Sequence, residues 1–172
     1  MAFIAEDGTG LADANSLCSV SDADTYFADR GNTAWTGTDA TKEAALIRAT
    51  DYIEMLFSEK FKGEAFSDTQ ALCWPRWFGA MPKTPIFPQD IKRAVCEYAV
   101  ISLTSSLIPD ITIDAGGLPV LVTKKSVAGI TKEYKAIGDT STTPNRIRSY
   151  PSADFLIAKW LIGAGGSGRA MR

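Results

Sequence analysis

Residues 39–57 read DATKEAALIRATDYIEMLF, and this stretch decides the class of fold. Leu46, Ala49, Ile53 and Leu56 recur at steps of three and four, one stripe of an α-helix, and predict a core-facing helix over 39–57. Asp39 or Thr41 is its expected cap, with Lys42, Arg48 and Glu54 on the wet side. The run that follows closes at or before Gly63.

On the N-terminal side, Ser21 and Asp24 stand three residues apart in the manner of a capping box and predict a helix over 22–30. Gly31 and Asn32 stop it, and Tyr26 and Phe27 face inward. On the C-terminal side, PQDIKRAVCEYAVISLTSS from Pro88 predicts a helix over 89–106. Ile91, Val95, Tyr98 and Ser102 form its stripe, with Ala94 and Ile101 alongside. Prolines at 75, 82, 85 and 88 forbid a continuous helix between Gly63 and Pro88, so that segment is a long loop needing anchors of its own.

Residues 119–137, PVLVTKKSVAGITKEYKAI, change to β-branched residues alternating with lysines and predict a hairpin of 120–127 with 130–136. Lys124, Lys125, Lys132 and Lys135 would make it a basic ribbon. SYPSADFLIAKWLIG predicts a last helix over 151–162, and the glycine-rich remainder, 163–172, reads as a flexible basic tail. The expected architecture is mainly α: a small helical bundle with a protruding β-hairpin and a C-terminal helix plus flexible tail. It forms one domain over 1–162.

A chain of 172 residues with 45% apolar and 22% charged side chains suits one domain with a sizeable core. No apolar run approaches the roughly 20 residues that span a bilayer, so no membrane partner is expected. The opening MAFIAEDGTG has acids where a signal peptide has its basic region, and the expectation is a protein kept inside a cell. Cys18, Cys73 and Cys96 are odd in number and lack CxxC spacing, which reads as reduced, mostly buried thiols. The chain has no histidine, which removes the commonest general base and metal ligand together. No catalytic residue, cofactor or metal is expected. Residues 1–60 carry eleven acidic and four basic side chains, whereas 61–172 carry nine and fourteen. Such asymmetry suits head-to-tail association or docking on an acidic partner; scattered solvated charge is the equal alternative.

Three motifs need weighing. Gly163, Gly165 and Gly168 satisfy GxGxxG, but after a helix and at the chain's end, the wrong context for a dinucleotide. EDGTGLAD at 6–13 lacks the alternating acids of a calcium loop and reads as a turn. TQALCWPRWF at 69–78 has two readings. Trp74 or Trp77 stacks bases with Arg76 on a phosphate, or Trp74, Pro75, Arg76 and Trp77 form a hydrophobic latch that orders the loop. Exposed tryptophan on a lone loop is costly, and the latch is favoured.

Four blocks carry a resemblance: ADANSLCSVSDADTYFADRGNTAW, KEAALIRATDYIE, TQALCWPR and IKRAVCEYAV. In this order and spacing, over roughly residues 11–162, they resemble a group of tailed-bacteriophage proteins, the DnaT-like domain family, similar in role to head–tail connector adaptors. The resemblance implies a non-enzymatic virion protein that forms a ring, commonly about twelve copies, beneath the portal and extends the DNA channel. Its implied partners are further copies, the portal protein, a tail or tail-completion protein and non-specifically held double-stranded DNA. Its implied location is the head–tail interface, after assembly in the bacterial cytoplasm. By position, Arg146, Arg148, Tyr150, Trp160, Arg169 and Arg172 would dock on the portal. Lys124, Lys125, Lys132 and Lys135 would face the channel or a neighbour. The family label also implies an alternative, an accessory protein of replication that binds single-stranded DNA.

Overall fold

Helix α1, Val20–Ala28, begins where the Ser19 hydroxyl accepts the Asp22 N–H at 3.1 Å. The start lies two residues before the expected one because Ser19, not Ser21, is the cap. Ser19 and Asp22 have the same capping-box spacing. At the other end Asn32 N–H donates to Phe27 at 3.0 Å, and Gly31 takes φ +59°. The helix ends at Ala28, two residues before the expected Arg30, and the left-handed Gly31 then turns the chain away.

The computed structural model describes residues 2–79, 82–108, 124–127, 130–133 and 148–163, the hairpin strands as backbone only. The chain divides into two compact units, 1–107 with 149–172, and 108–148. The first unit is helical. α2 spans Asp39–Phe57, the expected range, but its cap is Thr38, whose hydroxyl accepts the Thr41 N–H at 3.3 Å. α2 buries Ala45, Leu46, Ala49, Thr50, Tyr52 and Ile53, and a short 3-10 turn, Ser58–Lys60, follows. Glu54, expected in water, is half-buried and accepts the Cys73 N–H at 2.7 Å.

α3, Gln89–Ser102, packs along α2 and against α4, Pro151–Ala158; α1 lies on both α2 and α3. α3 ends four residues short of expectation. The Thr104 and Ser105 hydroxyls compete for the Ile101 carbonyl, at 3.2 and 3.5 Å, drawing the chain into a turn. α4 also ends four residues early. There Ile162 N–H donates to Lys60 at 2.7 Å and Lys62 N–H to Trp160 at 2.9 Å, so an antiparallel bridge captures groups a longer helix would have used.

The proline-rich loop is pinned by two short strands, β1 (Glu64–Ala65) and β2 (Arg76–Trp77), paired antiparallel, and by a mutual Arg76–Ile86 bridge at 3.1 and 2.7 Å. In the second unit β3, Lys124–Val127, pairs antiparallel with β4, Ile130–Glu133, within the expected hairpin. Mainly helical structure with one such hairpin is the fold class the sequence predicted.

The core of the first unit centres on Trp74, Tyr98, Phe27, Phe61, Leu46 and Ile53, each buried. Near the N-terminus the Glu6 carboxylate, 2% exposed, accepts the N–H groups of Gly8, Gly10 and Leu11 at 2.8–2.9 Å. EDGTGLAD is therefore a turn organised by its own acid.

Candidate functional site

The stretch 69–78 folds inward. Trp74 is 0% exposed and meets Phe61 edge-on at 5.3 Å and Trp160 edge-on at 5.7 Å. Phe78 closes the cluster at 6.4 Å from Trp74 and 6.3 Å from Trp160. Pro75 is buried beside them, after a cis peptide bond. Trp74 therefore presents no free face to a nucleobase. Trp77 is half-buried, with the Lys83 ammonium 5.0 Å above its ring.

Arg76 completes the lock. Its guanidinium donates to the carbonyl oxygens of Lys62 (2.9 Å), Cys73 (3.2 Å), Phe61 (3.4 Å) and Gly63 (2.7 Å). A fork of donors aimed at four carbonyls holds the turn after α2 against the loop. It leaves few donors for a phosphate. Gly63 has φ +76°, and a Cβ there would fall 2.6 Å from the Trp77 carbonyl oxygen, so the crossing needs a glycine.

A second polar constellation ties the helices together. The Asp24 carboxylate accepts Trp35 Nε1–H at 2.6 Å and Lys42 Nζ at 2.7 Å. Its pKa is lowered chiefly by the Lys42 hydrogen bond, against the opposing effect of burial. Asp22 pairs with Lys92 at 2.9 Å, joining α1 to α3. Asp90 pairs with Lys159 and, at 3.8 Å, with Arg93. Many of the described cations are thus already satisfied by acids or carbonyls of the same chain.

The residues assigned to portal contact fall in different places. Tyr150 is 7% exposed: its ring meets Tyr52 and Tyr98, and its hydroxyl donates to the Leu107 carbonyl at 2.8 Å. It sits in the core of the subunit as both the N-cap of α4 and an aromatic plug. Trp160 is half-buried in the Trp74 cluster, so it belongs to the latch. Arg148 is exposed. Arg146, Arg169, Arg172 and Lys135 lie outside the described residues. Lys125 and Lys132 are direct register partners in the hairpin, and Lys124 stands opposite Glu133.

Sequence reading missed two groupings. Cys18 and Cys96 meet with sulfurs 3.6 Å apart. Tyr98 donates to Asp154 at 2.6 Å, and the same carboxylate receives the Tyr150 N–H and the Ser149 hydroxyl. Each joins residues far apart in the chain, and no local spacing announces them. Among the described residues no cluster of three potential metal ligands occurs, and no helix is long and apolar enough to cross a membrane.

These features define a small, mainly helical protein whose aromatic loop buries Trp74 in its core. The chain belongs to a family described as putative DnaT-like ssDNA binding protein, whose model matches residues 1–172. No curated protein and no solved structure matches it.

Proposed function

We propose that the chain is a non-enzymatic structural subunit of a tailed-bacteriophage particle, a head–tail connector adaptor that joins further copies in a ring beneath the portal. In this reading its partners are the portal, a tail-side protein and the double-stranded DNA passing through the ring. The observation that carries it is the division of apolar surface. Trp74 of 69–78 is buried and Trp77 half-buried, while Phe78 (37% exposed), Met55 of α2 (69%), Phe155 of α4 (78%) and Ile162 (68%) stand in solvent. Apolar side chains left outside a well-filled core suit burial against another protein rather than a charged strand.

A second reading, binding of single-stranded DNA, is favoured by the description of the family itself. Such binding uses aromatic platforms flanked by free cations. Here Trp74 is buried and Arg76 is engaged by carbonyls, so within this stretch such a surface would rest on the half-buried Trp77, with the Lys83 ammonium 5.0 Å from its ring.

One pair of measurements separates the two. The protein is quantified in purified particles of the phage that encodes it, and its binding to a labelled oligothymidylate is followed by anisotropy at low and moderate salt. An adaptor is present at about a dozen copies per particle and shows no tight, steeply salt-dependent binding. Absence from particles together with such binding would overturn the adaptor and establish the second reading.

A further inference from the structure

Cys18 and Cys96 are separated by 78 residues in sequence, yet their sulfurs lie 3.6 Å apart. Cys18 immediately precedes the Ser19 cap of α1, and Cys96 sits in the middle of α3. Both are buried, and both line a cavity of about 270 Å³ walled by α1 and α3 residues including Asp22, Tyr26, Arg30 and Lys92. The thiol pair borders this opening at 0% and 1% exposure, so a small oxidant in the cavity reaches the sulfurs by a local movement of its wall rather than by unfolding of the helices. Cys73, the third free thiol, does not line this cavity, and its N–H is bonded to Glu54 of α2.

We propose that Cys18 and Cys96 are a built-in oxidation site that hydrogen peroxide closes to an intramolecular disulfide. The Cys18 thiol gives up its proton as its sulfur attacks one peroxide oxygen; the O–O bond breaks, the departing hydroxide takes that proton and leaves as water, and Cys18 becomes a sulfenic acid. The Cys96 sulfur then attacks the Cys18 sulfur, the S–O bond breaks, and the departing oxygen takes the Cys96 proton as a second water. Two thiols and one peroxide give one disulfide and two waters. Cys96 suits the second role: its hydrogen bond to Cys18 and its burial raise its pKa, so it keeps its proton until the sulfenic acid is beside it. Closing the bond brings the sulfurs from 3.6 Å to about 2.0 Å.

The consequence is a covalent tie between the entry to α1 and the centre of α3. A loop of this length, once closed, removes much of the unfolded chain's freedom and stiffens the fold without altering its packing. In a reducing compartment the tie is open; outside it, the tie closes.

The test treats the folded full-length protein with hydrogen peroxide, then alkylates, digests without reductant and maps the peptides. A Cys18–Cys96 link should appear with Cys73 still alkylated, and the melting temperature should rise by about 10 °C, reversed by dithiothreitol. Cys73→Ser should preserve the link and the shift. Cys96→Ser should abolish both and leave a Cys18 sulfenic acid that dimedone traps. Full alkylation of both Cys18 and Cys96 after peroxide, or a link that uses Cys73 or a second molecule, would overturn the proposal.

Discussion

Arg76 and Trp74 show how one short run supplies both halves of a lock. Trp74 fills the space among Phe61, Phe78 and Trp160, and Arg76 fastens the backbone around it through four carbonyls. Trp74→Ala should destabilise the fold by about 3–5 kcal/mol, the usual cost of emptying a large aromatic site, measured by denaturant unfolding. A variant that unfolds like the parent would show that the loop is ordered by something other than this ring. Glu54 offers a test by pH. Burial holds its carboxyl above the ordinary 4.5, although the Cys73 hydrogen bonds pull the other way. The folded state therefore binds this proton more tightly than the unfolded chain. Its contribution is full below about pH 4.5 and is lost as pH rises through the folded value. Glu54→Gln keeps an acceptor for the Cys73 N–H and removes the titration. Its melting temperature should fall less than the parent's between about pH 4.5 and 7. Parallel profiles for the two proteins would assign the slope to other groups.

At the scale of elements, the helices were largely legible and their ends were not. The range of α2 follows from apolar spacing alone, because a long amphipathic stripe leaves one solution. Caps depend on which of several neighbouring hydroxyls reaches an amide, and Ser19 and Thr38 won over Ser21, Asp39 and Thr41 for reasons of backbone angle. The early ends of α3 and α4 depend on partners elsewhere: hydroxyls turned back on Ile101, and the segment 60–62 pairing with 160–162. The candidate site was legible in part. TQALCWPRWF was readable as a latch from its composition, but the recruitment of Trp160 and the removal of Tyr150 into the core required the packing of α4 on α3. The crossing at Gly63 carries the prediction at this scale. Gly63→Ala places a Cβ 2.6 Å from the Trp77 carbonyl oxygen at φ +76°, so β1 must move away from β2. A loss of about 1–3 kcal/mol is expected, with faster hydrogen exchange at the Arg76 and Ile86 amides. Unchanged stability and exchange would mean that the crossing relaxes freely.

For the whole molecule, the charge imbalance along the sequence does not translate simply into two charged ends, since Asp22 of the acidic half pairs with Lys92 of the basic half. The exposed apolar side chains are the better guide to association. Phe155 is 78% exposed on α4 while its helix neighbours Ala153 and Ile157 are buried, so the helix is held by one face and offers the other. If that outer face is an assembly surface, Phe155→Ser should leave the isolated subunit's melting temperature within about 2 °C, because an exposed ring contributes little to the core. The same change should lower the number of copies found in assembled particles, since burying a large aromatic against a partner is worth about 1.5–3 kcal/mol per contact. The free protein should be a monomer by light scattering at micromolar concentration: scattered apolar side chains such as Met55, Phe155 and Ile162 make a small interface until a template presents many copies together. A stable dodecamer of the free protein would contradict this template dependence. A Phe155→Ser protein that melts normally and still enters particles at the parental copy number would remove α4's outer face from the assembly altogether.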